Sequence, residues 1–286
     1  MTVEDQEVRV TLADLVLVLG ATAAVLAVAY AMVAMRKFRR DRREADKTQR
    51  RTRFRLGIAG SDAEQSAVLR EATGHPGGQT DLVAVLMGQE FDPDSLRRLP
   101  DYPAFAADLT KRVGSRRPIQ RGTAVLLLNM LRDPDGVADA AAAMSDKDAD
   151  VRLVGARSLA IVGTPEAARA LIGALRERRM AWERIVERLA APWALSECLA
   201  ALAAESARDR PDPIFRSNLM RTLGLIGSSE ADPQLLELLR RGTVEERVNA
   251  ARALGQAGTA ECAVDLEKAL TDPADVVRAQ AATALG

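Results

Sequence analysis

From Arg121 onward, apolar positions recur at helical spacing, and that spacing is itself repeated. Five times an arginine precedes a leucine by seven residues: Arg121/Leu128, Arg152/Leu159, Arg216/Leu223, Arg247/Leu254 and Arg278/Leu285. The leucines advance by 31, 64, 31 and 31 residues, so the long step contains a degenerate copy. Each arginine–leucine stretch reads as one helix. Glycines behind it (Gly163, Gly224 and Gly227, Gly255 and Gly258) are expected to turn the chain left-handed at its end. Leucines and alanines at helical spacing predict partner helices over Glu166–Leu175, Pro233–Leu239 and Glu261–Leu270. Asp133-Pro134 and Asp272-Pro273 are expected to start the following helices, aspartate capping and proline in the first turn. One such pair cannot bury its own apolar face, so a 31-residue period predicts stacked pairs in an all-α solenoid.

A different pattern occupies the start of the chain. Residues 10–35 are apolar apart from Asp14 and a few small polar residues, long enough as a helix to predict one membrane span. Acidic residues precede it, and Arg36, Lys37, Arg39, Arg40, Arg42 and Arg43 follow at once. The charge order predicts an outside N-terminus and cytoplasmic repeats, in a single-pass protein of the cell membrane. Those six cations are the candidates for contact with anionic lipid headgroups. The expected organisation is therefore a short extracytoplasmic segment (1–9), a transmembrane helix (10–35), a basic juxtamembrane linker (36–55), an irregular helical part (56–120) and the repeats (121–286). A Gly74-His75-Pro76-Gly77-Gly78 loop interrupts the fourth segment.

Composition narrows the fold and the chemistry. Apolar residues make up 48% of the 286, but aromatics only 3%, so the core must be built from Ala, Leu and Val, which suits closely spaced helices. The formal charge sums to zero, yet residues 36–55 carry eleven Lys/Arg against three Asp/Glu. The remainder is net acidic, which argues against a groove built for nucleic acid. Cys198 and Cys262 lie in apolar helical stretches and read as small core residues. There is a single histidine, His75, and no phosphate loop, nucleophile elbow or Cys-x-x-Cys pair. No catalytic residue, metal site or cofactor is expected.

The segments DPADVVRAQAATALG and VEERVNAARALGQAGTAECAVDLEKALTD resemble the short HEAT-like repeats of the phycobilisome-lyase class. The resemblance covers residues 121–177 and 211–286. It implies a superhelix of antiparallel helix pairs, and it implies that the recurring arginine bonds an aspartate or carbonyl of the inter-repeat turn. Two further columns share one helix face. Asn218, Asn249 and Gln280 stand five residues before the reference leucine, and Arg157, Arg221 and Arg252 stand two before it. With Trp182 and Trp193 of the degenerate copy, they are the candidate protein-binding residues, set against a solvated face for the columns and gap filling for the tryptophans. The function expected is a membrane-anchored cytoplasmic scaffold that holds a protein partner on its concave face, in an envelope or membrane enzyme complex. A lyase-like protein handling a chromophore or prosthetic group is one alternative, and a nucleic-acid-binding HEAT protein is another.

Overall fold

The computed structural model describes residues 12–257 and 260–286, and every regular element among them is helical. The chain divides into two units, Met1–Leu56 and Gly57–Gly286. The first unit is dominated by α1 (Leu12–Ile58), a continuous helix of 47 residues. The second begins with four short helices, α2 (Asp62–Gly74), α3 (Gly78–Leu86), α4 (Pro93–Arg97) and α5 (Tyr102–Val113).

Among the described residues, no helix is long and apolar enough to cross a membrane. This overturns the expected cell-membrane location with its outside N-terminus, and no membrane span over 10–35 is found among the described residues. The headgroup contacts expected of Arg36, Lys37, Arg39, Arg40, Arg42 and Arg43 are a separate expectation that this finding does not reach. The helix α1 does not stop at Met35. It runs unbroken through the eleven basic and three acidic residues of 36–55, and the six cations are exposed along it. Residues 1–11, including the 1–9 segment, lie outside the described residues.

From Pro118 the chain becomes periodic. The helices are α6 (Pro118–Met130), α7 (Gly136–Ala143), α8 (Ala149–Val162), α9 (Pro165–Arg176), α10 (Trp182–Leu189), α11 (Leu195–Ser206), α12 (Pro213–Ile226), α13 (Asp232–Arg241), α14 (Val244–Ala257), α15 (Ala263–Ala269) and α16 (Asp275–Leu285). The even-numbered helices begin at 118, 149, 182, 213, 244 and 275, so the degenerate copy is a full pair, α10 with α11, displaced by two residues. Its first helix has only eight residues, which is why the arginine–leucine signature is missing there. Except at the short α10, the even-numbered helices pack on one another far more closely than the odd-numbered ones do. They form one layer, here termed the inner layer, and the odd-numbered helices the outer.

Local chemistry explains the turns, with two corrections. Gly163 and Gly227 do exit their helices in the left-handed region, at φ 63° and 70°. Gly224 and Gly255 do not: they lie inside α12 and α14, where a neighbouring inner helix comes too close for a side chain. Gly258 lies outside the described residues. The Asp-Pro pairs sit in the turns rather than at the helix starts. Asp133 accepts the N–H of Asp135 at 3.2 Å and Asp272 that of Ala274 at 2.9 Å, so each aspartate closes the turn ahead of its helix. From Pro118 onward the aspartates whose side chains cap a helix are Asp148 on α8 and Asp212 on α12. One continuous core runs through the array, from Val125 of α6 to Ala281 of α16.

Candidate functional site

The recurring arginines point into the seams between repeats. Arg121 donates from Nε and Nη2 to both oxygens of Asp146, at 2.8 and 2.7 Å, and from Nη1 to the Ser115 carbonyl at 2.9 Å. Arg247 repeats this with Asp272, at 2.8 Å on both prongs, and with the Gly242 carbonyl at 3.0 Å. Arg152 and Arg278 bond carbonyls alone, at Asp146 and Lys147 and at Asp272 and Pro273. Arg216 pairs with Glu246 of the next inner helix. Bidentate guanidinium pairing is directional, so these bonds fix the angle between successive repeats. Hydrogen bonding from Arg121 holds the Asp146 carboxyl below the usual carboxylate range, and Arg247 does the same to Asp272. With their forks engaged by carboxylates, Arg121 and Arg247 are poorly placed to hold nucleic-acid phosphates.

The two candidate columns lie on the inner helices. Arg157 is exposed, with Nη2 3.8 Å from the sulfur of Met87. Arg221 lies over the Trp182 ring, 4.9 Å from its centre. Arg252 approaches Gln280 at 3.4 Å. Asn249 and Gln280 are half-buried, whereas Asn218 is only 8% exposed. Trp182 and Trp193 are both partly buried against the core. The Trp193 ring packs on the turn at Gly163, where a Cβ would sit 3.4 Å from its Cδ1. The structure thus joins Arg221 to Trp182, while Trp193 supports the α8–α9 turn.

The same two columns extend to α6, where they become apolar. Five and two residues before Leu128 stand Thr123 and Leu126, and five before Leu159 stands Val154. These three residues line a cavity of about 480 Å³ with Thr80 and Val83 of α3, Ile119 of α6 and Val151 of α8. Ile119 is 75% exposed, and Asp148 and Asp150 edge one side. The columns read from sequence were polar, and this apolar end was missed because Thr123, Leu126 and Val154 look like ordinary core positions. Tracing the register back to α6 was the signal that could have found it.

Residues 199–286 match a family model described as HEAT repeats. That stretch, from α11 to α16, is similar to HEAT repeats. Among solved structures, human deoxyhypusine hydroxylase in complex with glycerol is similar at 17% identity over 78% of this chain and 95% of that one, with a TM-score of 0.32. An engineered protein is similar at 19% identity over 83% and 95%, with a TM-score of 0.25. Superpositions this loose carry no argument about chemistry. No curated protein matches the chain. Among the described residues, no group of three or more His, Cys, Asp or Glu side chains is placed to hold a metal ion.

Proposed function

We propose that the array of Gly57–Gly286 is a protein-binding scaffold whose inner face is the docking surface. One observation carries this reading: a single helical register supplies an apolar cavity at α3, α6 and α8 and then arginines at Arg157, Arg221 and Arg252. An exposed isoleucine over apolar walls favours a hydrophobic anchor, and surface arginines beside aromatic rings are common at interface hot spots. The occupant that fits is a protein segment with an apolar anchor at one end and acidic residues at the other. In this reading Asn218, Asn249 and Gln280, on the same helix face as the arginines, contribute polar contacts beside them, and Trp182 props Arg221. Trp193 serves the turn at Gly163 and is the weakest candidate for contact.

The test uses the full chain with a photo-crosslinking residue at Ile119 in one version and at Arg252 in another. The same protein should be crosslinked from both positions, and the pair Arg221→Glu/Arg252→Glu should abolish its capture. Different proteins at the two positions, or undiminished capture by the double variant, would refute the continuous docking surface.

A further inference from the structure

The arginine seam is broken in one repeat, and the break leaves a cavity. In two repeats the residue 25 places after the arginine is its carboxylate partner: Asp146 for Arg121 and Asp272 for Arg247. The equivalent residue for Arg216 is Arg241. Five places further on, the two intact repeats have Val151 and Val277, both buried, where this one has Glu246. Glu246 partly replaces the missing aspartate. One oxygen takes Arg216 Nη1, and the other takes the Thr243 N–H at 2.9 Å, just as Asp146 and Asp272 take an N–H two residues on. The substitution is one-pronged. Arg216 is 7% exposed, and its buried Nε has no hydrogen-bond partner.

Arg216 lines a cavity of about 540 Å³ between α11 and α13, beside Gln234, Glu237, Leu238, Arg241 and Glu246. The buried Oε1 of Gln234 also has no partner. Charged side chains of both signs therefore face the space, two arginines against two glutamates, but Glu246 has both oxygens engaged. The geometry points to a binding site for an α-carboxylate carrying an adjacent N–H, the chemistry of an acylated amino acid or of a peptide C-terminus. The carboxylate takes the Nε edge of Arg216, as Asp146 and Asp272 take Arg121 and Arg247, with Arg241 as a second cation at the rim. The adjacent N–H donates to Gln234 Oε1. The site stands apart from the inner-face docking surface, because α11 and α13 belong to the outer layer.

The experiment titrates the full chain with N-acetylglycine, with a tetrapeptide ending in a free carboxylate, and with the same peptide amidated, read by NMR shifts of residues 234–246. Saturable binding at or below about 10 mM is expected for at least one free carboxylate, and at least tenfold weaker binding for the amide. Binding of both carboxylates marks an acylated amino acid as sufficient; binding of the peptide alone marks a chain terminus as the source. Arg241→Asp/Glu246→Val rebuilds the intact repeats' pairing. It should keep or raise the melting temperature while abolishing binding, which separates loss of the site from loss of the fold. Equal binding of the amide, retained binding in the double variant, or no saturable response to either carboxylate overturns the assignment.

Discussion

Two arginines hold backbone conformations that a glycine would hold at less cost. Arg132 and Arg178 follow α6 and α9 with φ of 52° and 53°, where Gly163 and Gly227 close α8 and α12. In this region a Cβ crowds the following carbonyl. Arg132→Gly is therefore expected to stabilise the array by about 1 kcal/mol, after the entropy gained by the unfolded chain is deducted, and a chemical-denaturation midpoint would show it. The seam pairs act in the other direction. Arg247 and Asp272 are 16% and 11% exposed, between a surface pair worth under about 1 kcal/mol and a buried one costing about 3–5 when broken. Arg247→Ala should cost about 2 kcal/mol on that scale. Arg121, Arg240 and Arg247 hydrogen-bond the carboxyls of Asp146, Asp265 and Asp272 and hold each below its ordinary value. A lowered native pKa means that this stability is complete above the unfolded value, about 3.9, and is lost as the pH falls through the native values. Thermal melts below about pH 4 should therefore decline steeply, and Asp272→Asn should flatten part of that decline.

At the scale of elements, glycine inside the inner helices is there for packing. A Cβ on Gly255 would lie 2.6 Å from Ala284 Cβ and 2.8 Å from its Cα; one on Gly224 would lie 2.7 Å from Ala253 Cα. Alanine is favoured over glycine within a helix by about 1 kcal/mol, but overpacking against a neighbouring backbone costs about 1–3. Gly255→Ala and Gly224→Ala are thus expected to destabilise. Gly173 in α9 has nothing within 4 Å of the equivalent position, so Gly173→Ala should stabilise by about 1 kcal/mol. Melting temperatures moving in opposite directions would establish that helix approach, rather than propensity, sets the inner layer. The irregular repeat follows the same logic. Its short α10 leaves room beside α8 and α9, and Trp193 takes it up against Gly163.

For the array as a whole, one core threads the pairs from α6 to α16, so opening it should be needed to expose its two interior thiols, Cys198 and Cys262. Burial pushes the Cys198 thiol up to about 12, leaving little thiolate at neutral pH. Thiol labelling of Cys198 should therefore follow unfolding of the middle repeats and stay negligible in the native protein. The period, the helical class and the arginine ladder were legible in the sequence. A repeat forces equivalent residues into equivalent surroundings, so five arginine–leucine pairs expose the architecture without any structure. The membrane location read from residues 10–35 and the cations after them is overturned, because no helix among the described residues is long and apolar enough to cross a membrane.

By itself, then, the sequence determined what is local and periodic: helices at a 31-residue step, glycine-closed turns at Gly163 and Gly227, and a seam arginine in five copies. Only the tertiary structure decided which residues meet across repeats. It showed that Gly224 and Gly255 admit a neighbouring helix, that Arg221 covers Trp182, and that Glu246 stands in for an aspartate at Arg216. Periodicity specifies a residue's place within its own repeat. Which side chain reaches it from the next repeat depends on the distance and angle at which two helices pack, and those are set by many side chains together.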